Sequence, residues 1–216
     1  MLFVQKNVNY GNNFLMNKNY IIFYPILFFG ILFKFYLFSI GPDPFLLWYL
    51  PFLEFSWENF SFDPWNKWID SGGNPIAFPY GYAMWFSFMP FFYIFSFLDF
   101  NYVYFLVISL FELITCYFVL KSNDDDASSF LFLWFSPIIL FATYSLGYND
   151  IVPIAFTVIS LYFLKNNRCF LSGIFIALSV SAKLSMIISI PLYFIYFYRN
   201  KPIRNNYSFF IYGITL

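Results

Sequence analysis

The sequence contains no histidine and few charged side chains. Only 10% of its 216 residues are Asp, Glu, Lys or Arg, and the formal net charge at pH 7 is zero. A soluble domain carries roughly a quarter charged residues. Without histidine, neither a histidine-based metal site nor a histidine-dependent triad can form, and without a basic excess there is no footprint for nucleic acid. Any general acid or base must therefore be a carboxylate.

Cysteine is also scarce. Cys116 lies deep in an apolar run and Cys169 lies beside a basic connector. This pair offers neither a metal-ligand spacing nor a disulfide framework. The sequence therefore predicts no metal and no cofactor.

Apolar residues are abundant: 61% of the chain is hydrophobic and 28% is aromatic. A transmembrane helix needs about 20 apolar residues to cross roughly 30 Å of hydrocarbon. Eight apolar runs follow one another, most of them separated by polar connectors, at about 21–40, 81–98, 102–120, 129–144, 151–164, 171–183, 184–198 and from 209 onward. We expect an all-α integral membrane protein, a bundle of about seven to eight transmembrane helices.

The basic residues set the orientation. Residues 1–20 are polar and contain two lysines, which predicts a cytoplasmic tail, followed by a single transmembrane domain over 21–216. Lys165, Arg168 and the basic residues of 199–204 lie in connectors that should also be cytoplasmic. The acidic, tryptophan-rich stretch that begins at residue 41 is then outside.

Counting the crossings exposes a conflict in the first loop. The connector near residue 99 and the loop at 41–80 both fall on the outer side. The segment Gly81–Leu98 must therefore begin and end on the outer side of the membrane without crossing it. We therefore expect an outer loop over 41–101 that contains interfacial or re-entrant helices.

Charged side chains at membrane depth cost about 2.5–3.5 kcal/mol on insertion scales, which makes them functional candidates. Asp43 follows the first span by a few residues and could be a catalytic base or an ordinary loop carboxylate. Asp63 could act in the same way, or could form an Asp-Pro turn with Pro64. Lys34 and Glu112 are expected to stabilise the bundle.

A second group lies further along the chain. Asn149 and Asp150 precede an apolar run on the outer side and could contact substrate or cap a helix. Lys183 lies at the apex of two arms of about 13 to 15 residues, which place it roughly 20 to 22 Å from their basic ends and below the outer surface. We expect this ammonium to bind an anion in an outward cavity; the alternative is that it snorkels.

The order of these features resembles the C-type (GT-C) glycosyltransferases, in particular the polyprenyl-phosphate-sugar-dependent, mannosyltransferase-like membrane proteins of bacteria. An acidic residue follows the first span, Asp43 or Asp63, and four further pieces match in order: Ser71-Gly72-Gly73-Asn74-Pro75, Phe78-Pro79-Tyr80-Gly81, Gly147-Tyr148-Asn149-Asp150-Ile151, and Ser172-Gly173 with Ala182-Lys183-Leu184. The family's usual tandem proline is replaced by the single Pro79. Family members generally have more spans, so the chain is expected to be an N-terminal portion, truncated inside its eighth run.

The resemblance implies a multi-pass protein of the bacterial inner (plasma) membrane that transfers a hexose, such as mannose, on the extracytoplasmic side. Its partners would be a lipid-linked sugar donor, a glycan, lipid or protein acceptor, and membrane lipid, with no nucleic acid. Asp43 or Asp63 would take the acceptor's proton, Lys183 would stabilise the departing phosphate, and Asn149 and Asp150 would hold hydroxyls. The alternatives are a flippase or transporter without transferase chemistry, and a non-catalytic remnant of a glycosyltransferase.

Overall fold

The chain folds entirely into helices where it is described. The computed structural model describes residues 13–41, 44–123, 127–199 and 207–215, and these ranges contain no β-strand. The helices are α1 (Asn13–Ser39), α2 (Leu50–Glu58), α3 (Pro64–Asp70), α4 (Tyr82–Ile94), α5 (Phe100–Ser122), α6 (Ala127–Trp134), α7 (Pro137–Ile139), α8 (Ile151–Lys165), α9 (Cys169–Ala182), α10 (Ile190–Arg199) and α11 (Tyr207–Thr215). The prediction of an all-α chain is confirmed for these ranges.

Two helical segments are long and apolar enough to cross a membrane, namely Phe100–Ser122 and Ser128–Ser145. The second is interrupted, because Pro137 begins a new helix and the turns after it are π-helical over Leu140–Ser145. Four shorter apolar helices accompany them, at Tyr24–Ser39, Ile151–Lys165, Cys169–Ala182 and Leu184–Arg199. By length and composition, two helices among the described residues could therefore cross a membrane, whereas seven or eight spans were predicted.

The helix that contains the first predicted apolar run begins earlier than that run. Helix α1 starts at Asn13, so residues 13–20 of the predicted cytoplasmic tail are helical. Residues 1–12 of that tail lie outside the described ranges.

A buried ion pair joins α1 to the bundle. The Lys34 ammonium donates to the Glu112 carboxylate on α5 at 2.7 Å, and these two side chains are 1% and 0% exposed. The Tyr144 hydroxyl donates to the same carboxylate oxygen at 2.5 Å, and the ammonium lies 3.0 Å from the centroid of the Trp134 ring. Lys34 therefore faces α5 and not lipid; that the pair stabilises the bundle stays a prediction.

Aromatic side chains pack the first loop into a compact unit. A π-helical turn at Phe45–Tyr49 leads into α2. The Phe52 ring stacks on Phe78 with 4.8 Å between the centroids, and the Trp65 indole donates to the Phe78 carbonyl at 3.0 Å. Helix α4 has 13 residues, and its length of about 20 Å is less than the roughly 30 Å of a membrane core.

Hydroxyl groups hold α8, α9 and α10 together. The Ser160 hydroxyl of α8 donates to the Ser172 carbonyl of α9 at 2.7 Å, and the Tyr193 hydroxyl of α10 donates to Ser160 at 2.9 Å. Thr157 and Ser179 form a second hydroxyl pair at 2.8 Å. Small side chains and internal hydrogen bonds therefore allow α8 and α9 to lie close together.

Candidate functional site

Two of the residues proposed as substrate contacts form an ion pair. The Lys183 ammonium donates to the Asp150 carboxylate at 2.5 Å, and the two side chains are 30% and 40% exposed. The two residues of the pair are 33 positions apart in the sequence. Unlike the Lys34–Glu112 pair, it is open to an incoming molecule.

Each partner is presented where a helix begins or ends. Asp150 directly precedes α8 and follows a turn at Gly147. This glycine adopts φ +68°, a conformation that residues other than glycine rarely adopt. The Tyr104 hydroxyl donates to the Gly147 carbonyl at 2.7 Å and fixes this turn. Lys183 directly follows α9 in an extended conformation and ends that helix. Side chains at such breaks project from the ends of the helices toward a shared space.

The ion pair corrects one expectation from the sequence. The position of Lys183 predicted an ammonium that needs an external anion, but Asp150 supplies a counterion from within the chain. An ammonium has three donor protons, so one bond to Asp150 does not exhaust its capacity. An anionic ligand would therefore bind beside the carboxylate or compete with it.

Two tyrosines of the first loop lie next to this pair. The ammonium of Lys183 is 5.9 Å from the centroid of the Tyr80 ring, and the Tyr80 hydroxyl donates to the Tyr49 hydroxyl at 3.0 Å. Burial raises the pKa of both phenols, chiefly because the charged form would lose its water. Both groups therefore remain neutral hydroxyls near pH 7 and can hydrogen-bond to a ligand.

Glycine at position 81 brings this loop against α9. The Gly81 amide donates to the Ala182 carbonyl at 3.3 Å. A Cβ atom at position 81 would overlap the carbonyl oxygen of Ser181. Because only glycine fits this contact, Gly81 determines how closely Tyr80 approaches Lys183.

Asn149 is fully buried, and its amide has no hydrogen-bond partner. Its side chain is 0% exposed, and neither Oδ1 nor Nδ2 has a partner within the described part of the chain. An unsatisfied buried polar group costs about 1–3 kcal/mol, and most such groups in proteins are paired. The Asn149 amide, adjacent in sequence to Asp150, therefore has unused hydrogen-bonding capacity inside the bundle.

Of the two candidate bases, only Asp63 lies within the described residues. Asp43 lies outside the described residues. Asp63 caps α3: its carboxylate accepts from the Asn66 amide at 3.1 Å and from the Asn66 side chain at 2.6 Å, at an exposed position. This is the local capping geometry that an Asp-Pro sequence favours. A catalytic role for Asp43 or Asp63 remains a prediction.

An apolar groove lies next to two residues that adjoin Lys183. Its volume is about 500 Å³, and its walls are mainly apolar side chains, from Pro79, Tyr80, Gly81, Ile176, Ala177, Val180, Ser181, Leu184, Ile190 and Ile214. Leu184 follows Lys183 in the chain, and the Tyr80 ring lies 5.9 Å from its ammonium, whereas Lys183 and Asp150 themselves do not line the groove. An apolar groove beside a half-exposed ion pair suits a ligand with a hydrocarbon part and a charged part.

Sequence reasoning found Asn149, Asp150 and Lys183 but missed Tyr49 and Tyr80 as members of this site. In a chain with 19 tyrosines and 36 phenylalanines, no single aromatic residue is conspicuous. Comparisons of the chain with protein-family models, with curated proteins and with solved structures find no match.

Proposed function

We propose that the protein is a membrane glycosyltransferase that uses a polyprenyl-phosphate-linked sugar on the extracytoplasmic side, in a multi-pass bundle of about seven to eight helices. The observation that supports this best is the half-exposed Lys183–Asp150 ion pair, with the apolar groove beside Tyr80 and Leu184 close to it and the unsatisfied Asn149 amide adjacent to Asp150 in the sequence. The three features match the three parts of such a donor: phosphate, hydrocarbon and sugar hydroxyls. The GT-C resemblance of the sequence points to the same class of donor.

Lys183 would act on the phosphate. As the bond between the anomeric carbon and the phosphate oxygen breaks, negative charge accumulates on the lipid phosphate. A fixed ammonium nearby stabilises that charge, and in a medium of effective dielectric near 20 a contact at 4 Å is worth about 4 kcal/mol before desolvation is subtracted. The hydrocarbon chain of the donor would lie in the groove bounded by Pro79, Tyr80 and Leu184.

A carboxylate would act on the acceptor. The attacking hydroxyl loses a proton as it bonds to the anomeric carbon, and Asp43 or Asp63 would accept that proton. Asn149 and Asp150 would hold sugar or acceptor hydroxyls. The acceptor would be a glycan, lipid or protein reaching the site from outside a bacterial plasma membrane.

Donor binding tests the role of Lys183. Lys183→Met removes the charge but keeps the length of the side chain, and we expect polyprenyl-phosphate mannose to bind about 10- to 100-fold more weakly, as for the loss of a hydrogen bond between charged groups. Lys183→Arg should retain part of the affinity, because the charge remains with a different shape. Affinity is measured on purified protein in nanodiscs.

A double substitution separates loss of the anion site from loss of the ion pair. Lys183→Met leaves Asp150 without its counterion, whereas Lys183→Met with Asp150→Asn leaves neither charge. If both forms fold and both bind the donor weakly, the ammonium itself contributes to binding. Equal affinity for wild type and Lys183→Met would contradict the phosphate role.

Transfer activity tests the carboxylates and separates a transferase from a flippase. Replacing the true base by Asn should reduce sugar transfer by about 10²- to 10⁴-fold without unfolding the protein. The protein is assayed with a radiolabelled donor as Asp43→Asn and as Asp63→Asn. Turnover within a few-fold of wild type in both variants would exclude both as the base. Donor movement across the bilayer without transfer would indicate a flippase.

A further inference from the structure

A second groove lies between α8 and the helical segment that contains α10. Its volume is about 590 Å³, and it is lined by Thr157, Leu161, Leu164, Lys165, Ser189, Leu192, Tyr193 and Tyr196. The hydroxyls of Thr157 and Ser189 donate to backbone carbonyls of their own helices, at 3.0 and 2.7 Å. Because these hydroxyls are already bonded, most of the wall presents hydrocarbon.

The groove runs parallel to both helices. Helix α8 begins after Asp150 and the other segment begins after Lys183, and these two residues are bonded to each other. Ser160 and Tyr193, each ten residues beyond its member of the pair, are also hydrogen-bonded. The two segments therefore run side by side in the same direction, and the groove lies along them toward their C-terminal ends.

Positive charge collects at that C-terminal end. Lys165 lines the groove at the last turn of α8, is exposed, and donates to the Ser122 carbonyl. Arg199 is exposed in the last turn of α10. The sequence contains no Asp or Glu after Asp150, whereas six of its 11 basic residues follow that position. No carboxylate that follows Asp150 in the sequence can therefore neutralise the mouth of the groove, and the aspartates at positions 124–126, close in sequence to Ser122, lie outside the described residues.

We propose that this groove binds an anionic phospholipid of the membrane, with an acyl chain between α8 and α10 and the phosphodiester against Lys165. The inference rests on the membrane location proposed above and is independent of sugar transfer. Removing acyl methylenes from water favours binding in the groove, and basic pockets between transmembrane helices on the cytoplasmic side bind anionic headgroups. A zwitterionic lipid offers the same chain but no net charge.

Native mass spectrometry of the full chain in detergent tests the proposal, with dioleoylphosphatidylglycerol and dioleoylphosphatidylcholine as probes. We expect wild type to prefer phosphatidylglycerol. Lys165→Gln should weaken phosphatidylglycerol binding by about fivefold, the effect of one cation near a membrane surface. Lys67→Gln is the matched control, because it removes the same charge from an exposed position on α3, outside the groove.

A second pair of variants tests the chain-binding part. Leu192 is 65% exposed and lines the groove, so Leu192→Trp should fold and obstruct it, weakening both lipids. Ile138→Trp, at a 79% exposed aliphatic position on α7, is the control for added bulk. Equal effects of Lys165→Gln and Lys67→Gln, or of Leu192→Trp and Ile138→Trp, would overturn the proposal. Because no donor or acceptor is present, the outcome is separate from the tests of Lys183.

Discussion

The buried Lys34–Glu112 pair allows a sharp prediction about stability. Glu112 accepts from the Lys34 ammonium at 2.7 Å and from the Tyr144 hydroxyl at 2.5 Å, in a fully buried position. Removing one charge of such a pair leaves the other uncompensated in a medium of low dielectric. Removing both with apolar side chains of similar volume is often neutral or stabilising.

The single substitutions should therefore be the damaging ones. Lys34→Met leaves the carboxylate with the Tyr144 hydroxyl alone, and Glu112→Leu leaves the ammonium with the Trp134 ring and the Tyr144 hydroxyl with the Ser109 hydroxyl at 3.3 Å. Breaking a buried pair costs about 3–5 kcal/mol. We expect each single substitution to lower the free energy of unfolding, because each leaves one buried charge without its counterion. The double substitution should cost several kcal/mol less than the sum of the two singles.

Thermal unfolding of the detergent-purified protein, monitored by size-exclusion chromatography, ranks the variants by their stability. Reversible unfolding in sodium dodecyl sulfate gives the free energies for the double-mutant cycle. Lys67→Met, an exposed lysine on α3, controls for the loss of a positive charge. If the double variant is destabilised by the full sum of the singles, the two side chains are not coupled and the reasoning fails.

Three further predictions concern the first loop. Gly81→Val should separate the loop from α9 and lower both the midpoint of thermal unfolding and donor affinity; unchanged values would show that the close contact is unimportant. In a cysteine-free background, cysteines introduced at 43 and 99 should both react from outside, and protection of 99 alone would mean that Gly81–Leu98 crosses. Burial raises the pKa of Glu54 from its ordinary 4.5, so stability should fall as pH rises from about 4.5 through the raised pKa; Glu54→Gln should flatten this dependence, and an identical slope would refute it.

Hydropathy predicted the helices, because lipid-compatible runs with few charges have little alternative to helix. It did not predict their interruptions. The run at 129–144 reads as one continuous apolar segment, but the structure ends α6 at Trp134 and restarts at Pro137. The start of α1 at Asn13 was missed for a related reason, since polar residues such as Asn and Lys can extend a helix beyond its apolar part.

The candidate site was predictable only in part. The positive-inside rule placed Asp150 and Lys183 on the same side, and the structure brings them into contact. Their bond was not predictable, because hydropathy gives the depth of a residue but not which helix is its neighbour. The fully buried state of Asn149 was hidden for the same reason. Asp63 shows the opposite case: its local sequence allowed a cap, and the structure contains that cap.

The two ion pairs have the same chemistry but different surroundings, and this difference separates their roles. Lys34 and Glu112 are closed off from any ligand, so their charges can act only on the fold. Lys183 and Asp150 remain 30% and 40% exposed, and a groove lined by Tyr80 and Leu184 lies close to Lys183. An exposed pair contributes little to stability, but a ligand can reach it. Substitutions at the closed pair should therefore reduce the amount of folded protein but leave donor affinity per folded molecule unchanged. Substitutions at the open pair should instead lower donor affinity per folded molecule and leave the amount of folded protein unchanged, because solvent already screens much of the contribution of this pair to stability.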